Sequence, residues 1–528
     1  MDVPQGTGPS LQSPHRIPAP GPRLRPRPRH PAGTHPADDP VRHPIAGSLP
    51  SSVSTLADCA QTLPKAYLTF DLGTTRLKVA AFDERGACLA QAAARHDEFR
   101  EGTRTWQCAE NWWRDCLALA PRVLRTADLR PEDILAVGVA GRGGAGVFLD
   151  ANGRTLAEPW SDDRHVDAMR ERLSERGMSR YAAALLAKLD WLRADDPAAA
   201  SRIRYALFAK DYLVFQFTGL AATDHASGPD IQGWTPNSPV NLLPEARLPW
   251  EVAGELSHFA AAALGLREGT PVAVGAHDGI AANIGAGATL PNQYALTLGT
   301  HAVVRTVVRQ PSADSRRFYA FGSDRHVIGG NALAAGRSLD WFVDTLGDGG
   351  GVETLQRLSR EANAVPPGAR GAGCLPFLAG EAAPERRPQA RATFTGLSAH
   401  TTRAELFRAT LEGTAFAIAD IVDEVVGWCG EPERIGLTGG GVQLTPWVRI
   451  LSAVLRRPLE TTDAASEGRG IAMCCAVAIG AMPDIDTAAR SMLPPTTTVH
   501  LPELETVYRG LRANWMDLKH RVGSGTLG

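Results

Sequence analysis

The segment Asp71-Leu72-Gly73-Thr74-Thr75 combines a carboxylate, a glycine and two hydroxyl groups between two apolar runs. Backbone N–H groups in such a turn can hold a phosphate, and Gly73 lets the phosphate approach the backbone closely. The pattern suits a triphosphate with Mg²⁺, in which Asp71 holds metal-bound water. The simpler interpretation is an ordinary polar turn, in which Asp71 and the threonines make only local hydrogen bonds.

A second copy of this turn is predicted in the middle of the chain. Residues 71–82 and 297–308 align with Leu-Gly-Thr at the same offset between two strand-like runs. We interpret this as an internal duplication, because such a match rarely falls by chance inside matching supersecondary structure. Gly299 and Thr300 then form a second phosphate turn, and the two turns grip one polyphosphate. The counterpart of Asp71 is Thr297, so one carboxylate serves one metal.

Asp278 is the candidate base. It follows a predicted strand at 271–275 and begins a predicted Ala/Gly-rich helix that runs to about Gly287. An aspartate at a helix start is commonly a cap. A carboxylate at the carboxyl end of a strand can instead accept the proton of a substrate hydroxyl that attacks a γ-phosphate, and we also place it at the metal. We interpret His277 as a packed or orienting residue.

Gly439, Gly440 and Gly441 lie between a predicted strand at 434–438 and a predicted helix that contains residues 447–455. Bare backbone at this position would let an adenine or an α-phosphate lie against the chain and the helix N-terminus. The spacing is neither GxGxxG nor GxxxxGK[ST], and the Asp71 turn also lacks both patterns. Neither a dinucleotide-binding fingerprint nor a Walker loop is therefore predicted.

The elements that must position these residues form an α/β fold. A chain of 528 residues exceeds the roughly 250 to 300 that one core accommodates, which predicts two domains with a cleft between them. We place the N-terminal domain at 66–290 and the C-terminal domain at 291–515. Strands are predicted at 67–70 and 77–82, in a third segment that ends near Ala94, at 134–139, near Ala320 and at 326–328. Helices are predicted at 106–124, 181–192, 208–217, 335–346 and 402–426.

Residues 1–62 differ from the rest in composition. The first fifty residues hold 13 of the 38 prolines, six arginines and only three acidic residues. Such dense proline favours extended chain with too little apolar surface to fold, so we predict a disordered Pro/Arg-rich tail. The prolines would break a targeting helix, and no apolar core of a secretory signal is present. We expect this tail to be dispensable, as in an over-long gene model.

Composition narrows the class of partner. A net charge of -2 gives no basic field for nucleic acid, and apolar stretches end before the ~20 residues of a membrane span. The eight cysteines lack paired CxxC spacing, which fits a reducing cytoplasm. Cys474 and Cys475 are predicted to be buried core residues. We expect a cytoplasmic protein that acts on a small molecule, with a homodimer as one candidate assembly.

Seven motifs in order resemble the FGGY family of carbohydrate kinases over roughly residues 66 to 515. The motifs are Asp71-x-Gly-Thr-Thr, Trp160-x-Asp162-x-Arg164, Lys210-Asp211-Tyr212-Leu213 with Thr223-Asp224, Asp278-Gly279, Gly299-Thr300, Gly380-Glu381 and the glycines at 439–441. The Asp278-Gly279 step and the stretch 299–305 look closest to gluconate kinases. Other parts look equally like pentulose kinases.

The resemblance implies two ribonuclease H-like domains of the actin and sugar-kinase type, with MgATP in the cleft. It implies transfer of the γ-phosphoryl group to a hydroxyl of a sugar, polyol or sugar acid, with Asp278 as base and sugar binding in the N-terminal domain. Nucleotide contacts are implied for Gly73, Thr74, Thr75, Gly299, Thr300, Gly439, Gly440, Gly441 and Gln443, and metal contacts for Asp71 and Asp278.

One departure from the family concerns the sugar side. Many relatives carry Gly-Gln-Met-His-Gly or a Gln-Arg-Glu variant where this chain has Gly-Arg-Gly-Gly-Ala at 141–145. Either Gly143 only shapes a loop and Arg142 faces solvent, or a roomier pocket lets Arg142 meet an anionic or polyhydroxylated substrate. Trp160 and Asp162 lie near the substrate by resemblance; otherwise they are part of a structural ion pair beside an aromatic ring.

Two other functions remain as alternatives within the same superfamily. A sugar-sensing regulator would normally carry a DNA-binding helix-turn-helix, which the proline-rich head cannot supply. A non-phosphorylating actin-like ATPase would not need a base on the sugar side. A pseudokinase is disfavoured because Asp71, Asp278 and both phosphate turns are present.

Overall fold

The computed structural model describes residues 64–173, 180–227, 243–312, 317–462 and 465–523. The predicted tail at 1–62 lies outside these residues. The strands up to residue 290 are β1 (Ala66–Leu72), β2 (Arg76–Asp83), β3 (Cys88–Arg95), β4 (Phe99–Glu101), β5 (Arg104–Trp106), β6 (Ile134–Gly141), β7 (Gly146–Leu149), β8 (Thr155–Ala157), β9 (Tyr205–Phe208), β10 (Thr223–Asp224), β11 (Ala246–Arg247), β12 (Val252–Glu255), β13 (Pro271–Ala273) and β14 (Ala276–His277). The helices are α1 (Ala109–Thr126), α2 (Val166–Leu173), α3 (Arg180–Asp195), α4 (Pro197–Ala200), α5 (Ala209–Thr218), α6 (His258–Leu264) and α7 (Asp278–Gly285).

The second half repeats the mixture of strands and helices. Its strands are β15 (Gln293–Leu298), β16 (Ala302–Val308), β17 (Arg317–Phe321), β18 (Arg325–Ala332), β19 (Gly373–Leu375), β20 (Thr393–Thr395), β21 (Arg434–Thr438), β22 (Leu459–Thr461) and β23 (Thr497–Val499). Its helices are α8 (Gly336–Thr345), α9 (Gly351–Asn363), α10 (Arg403–Cys429), α11 (Thr445–Leu455), α12 (Ser466–Ala478), α13 (Ile485–Ser491) and α14 (Pro502–Gly523). Within the described ranges, none of these helices combines the length and hydropathy needed to cross a membrane.

Two sheets of matching topology confirm the internal duplication. The first runs β12-β13-β6-β1-β2-β3, and the second contains the order β23-β22-β21-β15-β16-β18. In each, the central strand is antiparallel to the strand that follows it and parallel to β6 or β21. The second turn is one residue tighter, because Leu72 pairs with Leu77 whereas Leu298 pairs with Ala302.

Most predicted elements are confirmed, with two shifts at their ends. Asp71 belongs to β1 rather than to the turn, which begins at Gly73. The helix predicted from residue 106 begins at Ala109, because Trp106 closes the short hairpin of β4 and β5. Cys474 and Cys475 are buried in α12, as predicted.

Helices α7 and α12 join the two sheets through a crossing built on glycine. A Cβ atom at Gly285 would lie 1.8 Å from the Ser466 carbonyl oxygen, and one at Gly470 would lie 1.9 Å from that of Ala281. Backbones this close leave no room for a side chain. The core around this crossing contains Tyr67 and Ala140 from the first sheet and Val307 and Val327 from the second.

Replacing Gly470 with alanine should lower the free energy of unfolding by about 1 to 3 kcal/mol, because the added methyl group overpacks the crossing. Chemical denaturation of the purified variant measures this change. Gly510 in α14 is a matched control, since a Cβ atom added there would meet no heavy atom within 4 Å. Gly510→Ala should be neutral or stabilising. Equal effects of both substitutions would contradict the close crossing.

Candidate functional site

In the first turn predicted to bind phosphate, at residues 73–75, side chains on one side hold the carbonyl oxygens. The Gly73 oxygen lies 3.2 Å from His96 Nε2, and the Thr74 oxygen accepts from Gln107 Nε2 at 3.0 Å and Arg142 Nη1 at 3.3 Å. Because C=O and N–H point in opposite directions across a trans peptide, the N–H groups of Thr74 and Thr75 point away from these partners. Both threonines are exposed, so these donors are open to an anion.

The second turn uses the same arrangement. The Gly299 and Thr300 oxygens accept hydrogen bonds from the N–H groups of Gly336 and Arg337, at 3.0 and 2.9 Å, at the start of α8. The N–H groups of Thr300 and His301 therefore point the other way. A Cβ atom at Gly336 would lie 2.4 Å from the Gly299 oxygen, so glycine is required for this contact. Each half of the molecule thus presents two backbone donors at one turn.

Asp71 is a buried carboxylate with one cationic partner. Lys78, its neighbour across the hairpin, donates from Nζ to Asp71 Oδ2 at 2.9 Å. Burial raises the pKa of Asp71 to about 6; Lys78 opposes this rise, and the carboxylates of Glu467 and Asp278 add to it. Asp71 and Asp278 are therefore close enough to interact electrostatically, as the predicted metal pair requires.

Asp278 begins α7 with its side chain 38% exposed. The cap of this helix is the preceding residue, because His277 Nδ1 accepts the Gly279 N–H at 3.0 Å. Among the described contacts, His277 rather than Asp278 therefore caps α7. Burial lowers the pKa of His277, so its ring is neutral at neutral pH and leaves Asp278 without a salt bridge to it.

Two aromatic rings pack against His277. The ring centroids of Tyr181 and Tyr319 lie 4.6 and 4.5 Å from that of His277. A Cβ atom at Gly143 would lie 2.2 Å from the Tyr181 ring, and one at Gly279 would lie 2.8 Å from the Tyr319 hydroxyl. The hypothesis of a roomier pocket is therefore wrong at Gly143, because Tyr181 fills the space that a larger side chain would take.

Arg142 does not face solvent freely, which corrects one of its two interpretations. Its Nη2 donates to Gln107 Oε1 at 3.0 Å, and its guanidinium lies over the Trp112 ring at 5.6 Å from the centroid. Burial lowers the pKa of Arg142 to about 10, while the charge of Asp278 opposes this shift. In the part of the chain that the structure describes, its buried Nε has no hydrogen-bond partner. Arg142 thus supports the first turn and retains one donor there.

A buried ion triad lies behind Asp278. Lys210 Nζ is 2.5 Å from Asp211 Oδ1 and 3.1 Å from Asp224 Oδ1, and all three side chains are nearly fully buried. Asp224 Oδ2 accepts the N–H of His277 at 3.4 Å. The triad therefore helps to fix the backbone that carries Asp278, so Lys210 and Asp211 have a structural role here.

Trp160 and Asp162 form a closed cluster with Arg164. Both Asp162 oxygens accept from the Arg164 guanidinium, at 2.6 and 2.5 Å, and Oδ2 also accepts the Thr105 N–H at 2.7 Å. Trp160 is buried, and its Nε1 donates to His165 Nδ1 at 3.3 Å. These contacts match the structural ion pair beside an aromatic ring, so the substrate role of both residues rests on resemblance alone.

The glycine run follows β21 as predicted, with a short 3₁₀ segment (Gly440–Gln443) before α11. Gly439 has φ +91°, and a Cβ atom there would lie 2.5 Å from the Leu298 oxygen. A Cβ atom at Gly440 would meet no heavy atom within 4 Å, so this residue presents open backbone, and Gln443 is exposed. Strand pairing makes Gly439 the counterpart of Gly141, so the glycine run and the Arg142 loop occupy equivalent positions in the two halves.

Several residues at this site carry no sequence signal strong enough to identify them. Gln107, Tyr181, Tyr319 and Glu467 come from separate elements and meet the site only through folding. Lys78 could have been found, because it faces Asp71 across a predicted hairpin.

Two family models match the chain. The N-terminal domain of the FGGY family of carbohydrate kinases matches residues 66–285, and the C-terminal domain of that family matches residues 295–479. Among curated proteins, the xylulose kinase of Escherichia coli strain K12 is 28% identical over 83% of this chain and 95% of its own length. A gluconokinase of Bacillus subtilis strain 168 is 25% identical over 73% of this chain and 82% of its own length.

Solved structures agree on the fold. Ligand-bound xylulose kinase from Lactobacillus acidophilus has a TM-score of 0.75 at 21% identity and covers 88% of this chain and 100% of that one. Gluconate kinase from the same organism has a TM-score of 0.74 at 22% identity, with 87% and 98% covered. These kinases share the actin and ribonuclease H-like architecture of two related sheets that is seen here. With both domain models matched in order, this chain belongs to the FGGY family of carbohydrate kinases.

Proposed function

We propose that this kinase transfers the γ-phosphoryl group of MgATP to a hydroxyl of a pentulose, a sugar alcohol or an aldonic acid, with Asp278 as general base. The proposal rests on the carboxylate of Asp278. It is partly exposed, and it does not cap α7 because His277 accepts the Gly279 N–H instead. It lies in electrostatic contact with Asp71, beside the first phosphate turn.

The proposed step begins with proton transfer. Asp278 accepts the proton of the acceptor hydroxyl, whose oxygen forms a bond to the γ-phosphorus. The bond from that phosphorus to the β–γ bridging oxygen breaks, and ADP leaves with the electron pair. The outward N–H groups at Thr74, Thr75, Thr300 and His301 would hold the phosphates, while Gly439, Gly440, Gly441 and Gln443 would border the adenosine.

Asp71 and Asp278 suit Mg²⁺, which commonly binds through one or two carboxylates, with water and phosphate oxygens completing the shell. Asp71 uses Oδ2 for Lys78; burial raises the pKa of Asp71, and among the described residues Lys78 is the cation that opposes this rise. When bound, the metal neutralises charge that develops on the phosphate oxygens. The proposed division into domains at 66–290 and 291–515 places the first turn and Asp278 in one domain and the second turn in the other.

An ADP-release assay with Mg²⁺ tests the function. The purified protein is screened against pentuloses, tetritols, pentitols, glycerol and aldonic acids, and substrate-dependent ADP release is expected with at least one class. ADP release that is independent of every acceptor would instead favour the actin-like ATPase. Tight sugar binding without ADP release would favour the sugar-sensing regulator.

Replacing Arg142 with alanine should raise the KM for the carbohydrate by about 10-fold, because a charged donor beside Asp278 is lost. Steady-state kinetics on the substrate found in the screen measure this effect. Arg170→Ala is the control, since it removes the same charge from an arginine on α2 whose side chain is 70% exposed and paired with Asp167. An unchanged KM in Arg142→Ala, or an equal rise in Arg170→Ala, would contradict a substrate contact.

A further inference from the structure

Lys78, on β2, lies between two carboxylates that belong to different halves of the chain. Its Nζ donates to Asp71 Oδ2 at 2.9 Å and lies 3.9 Å from Glu467 Oε2, in the first turn of α12. The second distance is too long for a hydrogen bond but short enough for attraction between opposite charges. The two anions therefore share one ammonium group unequally.

Glu467 has one further polar contact among the described residues. Its Oε2 accepts a hydrogen bond from Ser466 Oγ at 3.3 Å, and its side chain is 19% exposed. An acidic residue in the first turn of a helix also interacts favourably with the helix dipole, which would be a purely structural role. That role needs no cation beyond the helix, whereas Glu467 faces Lys78. The pairing therefore points to a role at the Asp71 site.

The backbone at the start of α12 packs directly against the helix that carries the candidate base. The Ser466 carbonyl oxygen lies 1.8 Å from the position of a Cβ atom at Gly285, and the helix of Gly285 begins at Asp278. Backbones in such close contact cannot slide past each other without a clash. Glu467 is therefore held by a segment that is fixed against α7.

Lys78 has room to move toward Glu467. A small cavity of about 10 Å³ is lined by Asp71, Lys78, Gln91 and Glu467, together with Thr69 and apolar groups. This volume suits one group of the size of a water molecule, and an ammonium group is of similar size. The lysine stem is flexible, so a shift of Nζ by about 1 Å would bring it within hydrogen-bond distance of Glu467 Oε2.

A divalent cation at Asp71 would change the balance between these two partners. Like charges repel, so two cations beside one carboxylate are unfavourable unless a second anion lies nearby. Lys78 would either leave its short contact with Asp71 Oδ2 or stay and oppose the metal. Glu467 supplies a second anion within reach of the same ammonium group.

We propose that Glu467 is a positioning residue that takes the Lys78 ammonium group when Mg²⁺ binds at Asp71. This inference rests on the proposed kinase function and concerns how its metal site is prepared. Without the charge of Glu467, Lys78 stays on Asp71 and competes with Mg²⁺. The same movement strengthens a contact between β2 in the first half and α12 in the second, so metal binding is coupled to the contact between the two halves.

The affinity of the full-length protein for the β,γ-imido analogue of ATP tests this role without turnover. Calorimetry with Mg²⁺ and with EDTA gives the gain in affinity that the metal provides. Glu467→Gln removes the charge and keeps the size of the side chain. It should reduce this gain by about 10- to 100-fold, as is common when a residue next to a metal ligand is replaced. An unchanged gain would overturn the proposal.

Glu353→Gln is the matched control for the helix dipole. Glu353 is exposed in the first turn of α9, and none of the described contacts joins it to Asp71 or Lys78. The gain in affinity from Mg²⁺ should equal that of the wild type. An equal reduction in Glu353→Gln and Glu467→Gln would assign both effects to their helices and overturn the role of Glu467.

A double-mutant cycle separates the transfer of Lys78 from a general effect of charge. In the Lys78→Gln background there is no ammonium group to transfer, so Glu467→Gln should change the gain from Mg²⁺ by less than about 3-fold. A general attraction of Glu467 for the metal would instead reduce the gain equally in both backgrounds. That result would overturn the proposal.

Kinetics provide a second measurement should Lys78→Gln not fold. Glu467→Gln should raise the Mg²⁺ concentration for half-maximal activity by about 10-fold, and saturating Mg²⁺ should restore the lost kcat. A loss of kcat that saturating Mg²⁺ does not relieve would mark a structural role and overturn the proposal. The calorimetry uses no acceptor, so it tests Glu467 alone. Absence of acceptor-dependent ADP release from the wild-type protein would instead refute the proposed function.

Discussion

Asp278→Asn is expected to fold and to bind ATP but to lose phosphoryl transfer by about 10²- to 10⁴-fold in kcat. An amide cannot accept the hydroxyl proton, whereas its size and polarity match the carboxylate. The fold should tolerate the change, because His277 rather than Asp278 caps α7 and the Asp278 side chain is partly exposed. ADP release with the identified carbohydrate, together with ATP binding by calorimetry, measures the two properties separately.

A carboxylate at another helix start supplies the control for this substitution. Asp484 caps α13 through a hydrogen bond from the Thr487 N–H at 2.7 Å, and Asp484→Asn removes the same charge without a base being lost. Its kcat should equal that of the wild type. Retained turnover in Asp278→Asn would remove the base assignment, and lost ATP binding would show that Asp278 acts mainly through the nucleotide.

Asp71→Asn is expected to lower kcat/KM by about 100-fold and to raise the Mg²⁺ concentration required for half-maximal activity. The substitution removes the negative charge opposite Lys78 and an oxygen that would hold the metal shell. The pKa of Asp71 near 6 adds a test of sign. Asp71 is ionised above that pH and protonated below it, so the wild-type Mg²⁺ requirement should rise as the pH falls through about 6. In Asp71→Asn, the Mg²⁺ requirement should not show this rise as the pH falls.

Asp133→Asn is the matched control for the metal assignment. Asp133 is also buried and ion-paired, with Lys65 at 3.2 Å and Arg130 at 3.0 Å, but it has no part in either turn. Its loss should reduce stability and leave the Mg²⁺ requirement unchanged. An unaltered Mg²⁺ requirement in Asp71→Asn, with kcat preserved, would contradict a metal role for Asp71.

Local patterns in the sequence determined a large part of the fold. The hairpin at 66–83 and its copy at 293–308 follow from apolar runs that flank a turn with glycine, and such runs encode strands without help from distant residues. Asp278 at a helix start and the glycines after β21 follow from the same local signals. These features could be predicted correctly because turn chemistry and hydrophobic periodicity depend on residues that are neighbours along the chain.

The sequence predicted the packing of side chains around the site less well than it predicted the strands and turns. The sequence pattern at 141–145 allowed either a solvent-facing Arg142 or a roomier pocket. In the fold, Arg142 is held by other side chains, and the space beside Gly143 is filled. Tyr181, 38 residues from Gly143, fills the space that the missing side chain leaves, and Gln107 with Trp112 holds the guanidinium. Whether the space left by a small residue stays empty depends on the side chains that other elements place beside it, because protein interiors are close-packed.

The first turn and Asp278 illustrate the division between sequence and structure. The sequence by itself determined that a glycine-containing hairpin turn, its duplicate and an aspartate at a helix start exist, because short-range chemistry specifies each of them. Only the tertiary structure decided that Glu467 and Asp278 lie near Asp71 and that the rings of Tyr181 and Tyr319 pack against His277. Those relations join residues far apart in the chain, and the contacts form only when the two sheets pack around α7 and α12.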